Sequence, residues 1–99
     1  MHKPPSSLMP FQTSVGRWSK QTFPQGTPEG RMAHLRREVD ELAADHSPEE
    51  AADCFILLLG HAHENGYDLL AAAKRKMAIN YERKWGEPDE EGVVEHIEP

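Results

Sequence analysis

The stretch His34–Asp53, HLRREVDELAADHSPEEAAD, decides the fold. It carries two pairs of acids at the same interval, Glu38 with Glu41 and Glu50 with Asp53. Residues three apart share a face of a helix, so each pair can direct both carboxylates the same way. Between the pairs lies Asp45-His46-Ser47-Pro48, a break at which the chain can turn back. Two helices packed antiparallel across that turn bring the pairs together. Four converging carboxylates repel one another strongly unless a cation sits among them. Oxygen-only ligands suit a hard ion, Mg²⁺ or Mn²⁺. The stretch thus predicts a helical hairpin with Glu38, Glu41, Glu50 and Asp53 as candidate metal ligands.

Outward from the hairpin, Thr27-Pro28 predicts the start of its first helix, threonine as cap and proline at the first position. Met32, Leu35, Val39 and Leu42 form the apolar stripe, with His34, Glu38, Glu41 and Asp45 as a row beside it. Glu38 borders the core on this wheel, and Asp40 is solvated. His34 and Glu38, four apart, make a simple hydrogen-bonded pair. Ser47-Pro48-Glu49-Glu50 is a capping box, which gives Glu50 a second reading as a cap alone. The next helix is predicted to run to about Asn65 and stop at Gly66. Its middle, CFILLLG, is apolar nearly all round, predicting the central buried helix. Asp53 stands at the start of that run. A charge there is costly unless it binds metal or pairs with a buried Arg or Lys.

Phe11, Val15, Trp18 and Thr22 recur at helical spacing after Pro10, predicting an earlier helix to about Phe23. Pro24 to Gly30, PQGTPEG, is a loop. Asp68 caps a last helix predicted from Leu69 to about Trp85, with Leu70, Ala73, Met77 and Tyr81 as its core face. Lys76, Asn80 and Arg83 line an adjacent polar row. The fold class is all-α, about four helices in a single domain spanning 1–99. Residues 1–8 and 87–99 are expected to be loosely ordered. No strand pattern and no repeat is visible.

With 99 residues the chain builds a limited core, so self-association would help its stability. A net charge of −6 argues against a nucleic-acid polymer as partner. The single Cys54 sits in the apolar run as a core residue, which fits a reducing cytoplasm. The N-terminus has no secretory core, and Cys54 to Leu59 is far too short to span a bilayer. His61 and His63 point to different sides of a helix and make a poor metal clip. No glycine-rich phosphate loop and no G-x-S-x-G is present. Phosphate handling therefore falls to metal and to Lys76, Arg83 and Lys84, a row that otherwise reads as solvated surface. The Asn80 amide can bond a base edge or a phosphate, or bridge helices. Trp18 and Trp85 can stack on a base, although Trp18 on its apolar stripe also reads as core.

ExxE, a short connection, ExxD, and then KMxxNxxRKW together resemble the MazG-like superfamily of all-α nucleoside-triphosphate pyrophosphohydrolases. HLRREVDEL, EEAADCFILLL and KMAINYERKWGEPDEEGVVEH look closest to its dATP/dGTP pyrophosphohydrolase branch, and WSKQTF fits that branch's entry helix. The resemblance covers roughly Phe11 to His96. It implies a metal-dependent hydrolase, with Mg²⁺ (Mn²⁺ possible) on Glu38, Glu41, Glu50 and Asp53. Cleavage between the α and β phosphates would give a nucleoside monophosphate and pyrophosphate, with a lean to deoxypurines. Glu41 and Glu38 are the candidate catalytic acids, Glu41 orienting the water. Lys76, Asn80, Arg83 and Trp18 are the candidate substrate-binding residues. Many relatives open the first motif with two adjacent glutamates, and here Arg37 takes the first place. The resemblance also implies a homodimer or homotetramer. The competing expectations are a non-enzymatic acidic helical interaction module and a regulator that binds nucleotide without cleaving it.

Overall fold

Three of the four helices begin at a side chain that caps them. The computed structural model describes residues 3–97 and contains α1 (Met9–Thr22), α2 (Pro28–Asp45), α3 (Pro48–Glu64) and α4 (Leu69–Glu82). Two-residue strands follow, β1 (Lys84–Trp85) and β2 (His96–Ile97), paired antiparallel. The Thr27 hydroxyl accepts from the Gly30 N–H at 3.0 Å. Ser47 Oγ accepts from the Glu50 N–H at 3.2 Å, and Asp68 Oδ1 from the Ala71 N–H at 3.1 Å. Each side chain satisfies a backbone donor that the first helical turn leaves open. The turn between α2 and α3 is tight because His46 takes the left-handed conformation, φ 54°. Gly66, φ 73°, ends α3 at the same kind of position.

α3 is the hub. It packs on both α1 and α2, and its contact with α4 is slight. Leu59 and Ala62 are fully buried, and Val15 and Cys54 are nearly so. α1 approaches α3 closely at Gly16, where a Cβ would run into the His63 ring. Gln12 fixes the far end of α1. Its Nε2 donates to the Tyr67 carbonyl at 2.6 Å, and its Oε1 accepts from the Leu69 N–H at 3.1 Å. Ser6 donates through its N–H and Oγ to the Asp68 carboxylate at 2.8 and 2.7 Å. Gln12→Ala would strand two backbone groups in a buried place, at a cost of about 2–4 kcal/mol. Urea unfolding should show that loss as a lower midpoint at unchanged slope.

The core differs from the sequence pattern in four places. In α2 none of the stripe Met32, Leu35, Val39 and Leu42 is buried, and Val39 is 49% exposed. In α1 the buried face is Gln12, Val15 and Gly16, while Phe11 and Trp18 are about half exposed. The reason is close approach: Gly16 lets α3 in, and the larger side chains flank that contact. In α3 the run is not covered all round, since Phe55 is 40% and Leu58 38% exposed. α4 buries no residue at all; Met77 is 44% and Tyr81 78% exposed on its expected core face. α4 also stops at Glu82, because Lys84 and Trp85 turn away to pair with Ile97 and His96. Two-residue strands carry no alternation from which to read them. The expectation of loose ends falls partly on residues 1–2 and 98–99, outside the described residues.

The accessible surface is 8034 Å². A compact monomer of 11.2 kDa would show about 5,700 Å². The radius of gyration, 16.0 Å, likewise exceeds the roughly 13 Å of a compact chain this long. No helix among the described residues is long and apolar enough to cross a membrane.

Candidate metal and nucleotide site

Carboxylate oxygens of Glu38, Glu50 and Asp53 lie within 4.8 Å of one another. Glu38 comes from α2, the other two from the first turns of α3, so the capped turn at Ser47 sets their separation. Glu50 Oε2 and Glu38 Oε2 are both buried with no hydrogen-bond partner. Among the described residues no Lys or Arg forms an ion pair with any of the three. Buried carboxylate oxygens without donors are costly, and a cation is the group that would satisfy this set. The Glu50 backbone N–H serves the cap while its carboxylate joins the cluster.

Asp53 is placed differently from the sequence expectation. It is exposed, and Glu38 and Glu50 are the partly buried acids. Cys54 takes the inward position at the start of the apolar run, and one residue is roughly 100° on a helix. Asp53 is therefore turned outward, toward the cluster's open side. Glu41 lies outside the tight group of three, but its carboxyl acts on two of them. The Glu38 carboxyl is held above its ordinary range, first by the neighbouring Glu41 carboxyl, then by burial, and further by repulsion from Glu41 and Asp53. His34, 3.1 Å from Glu38, pulls it the other way. Burial is the first cause raising Glu50, followed by Glu41, Asp53 and Glu38. The Cys54 thiol is pushed up by burial and by the same acids.

These shifts fix the sign of a pH dependence. A carboxyl raised in the folded state stabilises the fold below its ordinary value, about 4.5 here, and that contribution is lost as pH rises through the folded value. Asp68, lowered chiefly by its Ser6 hydrogen bonds, contributes above 3.8 and is lost as pH falls. In EDTA the melting temperature should decline as pH climbs above 4.5. Glu50→Gln should flatten that decline. Melting curves of both proteins across mildly acidic to neutral pH check this; parallel profiles would contradict it.

A pocket of about 660 Å³ opens beside the acids. Glu38 and Asp53 line it, together with Trp18, Phe23, His34 and Leu57. Trp18 and Phe23 meet edge to face at 5.5 Å. The structure thus brings Trp18 to the site. It does not bring Lys76, Asn80 or Arg83 into this pocket. Lys76 is exposed on α4, Arg83 approaches His96 at 3.4 Å, and Asn80 Oδ1 is buried without a partner. The pocket wall includes Arg31, Gly60 and Glu64, which the sequence reading did not single out. Their only sequence signal is Gly60, a glycine inside an apolar helix.

Comparison with known proteins follows the same lines. The profile of the dATP/dGTP pyrophosphohydrolase family matches residues 11–99. A dATP/dGTP diphosphohydrolase of Cyanophage S-2L is 35% identical over 96 residues, covering 94% of this chain and 90% of that protein. A dATP/dGTP diphosphohydrolase of Salmonella phage PMBT28 is 36% identical over 93 residues; the match spans 92% of this chain but only 32% of that longer protein. Among solved structures, the Cyanophage S-2L MazG-like pyrophosphohydrolase, bound to dGDP and three catalytic Mn²⁺ ions per active site, superposes with a TM-score of 0.79. That match has 35% identity and covers 95% of this chain and 100% of the other. By profile, by sequence and by fold, the chain belongs to the dATP/dGTP pyrophosphohydrolase family.

Proposed function

We propose that the protein hydrolyses purine deoxynucleoside triphosphates, dATP and dGTP, to the monophosphate and pyrophosphate with a divalent metal. The unpartnered, buried oxygens of Glu38 and Glu50 beside Asp53, at the edge of a nucleotide-sized pocket, carry this reading. Glu38, Glu50 and Asp53 would hold the metal, Mg²⁺ or Mn²⁺. When bound, it would offset charge developing on the phosphates and lower the pKa of an attacking water. Glu41, whose carboxyl raises both Glu38 and Glu50, would hold or accept that water's proton. Trp18 supplies an aromatic face for the base. The buried Cys54 fits a reducing, cytoplasmic setting.

Lys76, Asn80 and Arg83 serve the substrate in this reading, and they do so from a second copy of the chain. Three observations support it. The pocket takes no residue from α4, α4 buries none of its side chains, and the surface exceeds a compact monomer's by about 2,300 Å². An excess of that size suits an obligate homodimer or homotetramer. Docked on a partner, α4 would cover Met77 and Tyr81 and present its basic row to the partner's acids.

Phosphorus NMR of dGTP or dATP turned over with Mn²⁺ tests the reaction. The expected products are the monophosphate and pyrophosphate. Orthophosphate as the sole phosphate product, or full activity in excess EDTA, would contradict it.

A further inference from the structure

Glu38 and Asp53 line the pocket, and so do Arg31 and Glu64. Arg31 lies two helical turns before Glu38 on α2, and Gly60 two turns after Asp53 on α3, a span of roughly 10 Å along each helix. Because the hairpin is antiparallel, both offsets run the same way. Arg31 Nη2 pairs with Glu64 Oε2 at 3.0 Å. The arginine side chain is 17% exposed, and its Nε is buried with no partner. Its guanidinium lies over Gly60, where any Cβ would collide with Nη1.

An ion pair this accessible at its carboxylate end adds little stability, and an unpartnered buried Nε costs some. The arrangement gives little to the fold, and it points donors and acceptors into a pocket walled by Trp18 and Phe23. A guanidinium fork offers two donors side by side, and a carboxylate oxygen offers an acceptor next to them. Both purines match that order along one edge. Guanine shows N7 and O6 as acceptors with the N1–H donor beyond; adenine shows N7 as acceptor and its N6 amino group as donor. A pyrimidine lacks the imidazole ring and falls short of the same groups.

We propose that Arg31 and Glu64, seated over Gly60, read the edge of a purine base whose phosphates lie at the acids. Gly60 is the positioning residue, since it makes room for the guanidinium. This assignment rests on the nucleotide reading above and adds the groups that select the base.

The test compares Arg31→Met and Glu64→Ala with the parent, with circular dichroism to confirm folding. Activity is measured on dGTP, dATP, dCTP and dTTP. Each variant should lose roughly 10–100-fold in kcat/KM on both purine substrates. The loss should appear in KM, with kcat retained and pyrimidine turnover unchanged, so the purine-to-pyrimidine ratio collapses. An equal loss on all four substrates, or an unchanged ratio, would overturn the assignment. Binding of dGMP and dCMP by calorimetry runs beside the assay. If the parent cleaves no triphosphate yet binds dGMP over dCMP, and Glu64→Ala erases that preference, the base site stands and the reaction reading fails. A parent that binds both alike would overturn the base site.

Discussion

Glu50→Gln should leave the helices intact and remove nearly all hydrolysis, by roughly a thousandfold. Glutamine keeps the backbone N–H that Ser47 caps, so α3 still starts where it does. What it removes is one negative oxygen donor from a cluster whose members lie within 4.8 Å of one another. Burial is the main reason the Glu50 carboxyl resists ionising, and three acids add to it. Neutralising it therefore relieves the apo protein, which should melt at the same temperature as the parent or higher. The variant should also lose most of the metal-induced rise in melting temperature that ligand linkage gives the parent. Normal turnover in Glu50→Gln would reduce Glu50 to a helix cap.

Mixing two inactive variants should restore activity. Lys76→Ala is expected to lose on the order of a hundredfold through a missing phosphate contact. If α4 serves the acids of a neighbouring copy, a mixed dimer with Glu50→Gln holds one site with both defects and one site with none. Random pairing after joint refolding then returns about a quarter of the parent's activity in a two-fold dimer. The motivating geometry is a pocket that contains Glu38 and Asp53 but nothing from α4, beside a helix whose Met77, Ile79 and Tyr81 lie open. No recovery on mixing would return Lys76 to its own chain's site or to the solvated surface.

The legible part of this molecule was the local part. Thr27, Ser47 and Asp68 mark helix starts because a cap needs only the next three residues. The ExxE and ExxD spacings put Glu38 against Glu50 and Asp53 because one short turn fixes the hairpin. The fold class and the four helices followed from the same signals. Burial was less legible, because it depends on register. Asp53 differs from its buried neighbour Cys54 by a single helical step. Gln12, a polar residue, is buried because two distant backbone groups, the Tyr67 carbonyl and the Leu69 N–H at the start of α4, need it. The apolar residues of α4 read as core, yet among the described residues Met77, Ile79 and Tyr81 stay exposed. Arg31 and Glu64 meet across the hairpin, far apart in sequence, and no spacing rule joins them.

Anomalous diffraction from crystals soaked in Mn²⁺ tests the central claim most directly. The account predicts metal density ringed by the carboxylates of Glu38, Glu50 and Asp53, and its loss in Glu50→Gln. Density only at histidines or scattered surface acids, or an empty cluster in an enzyme active with Mn²⁺, would contradict it.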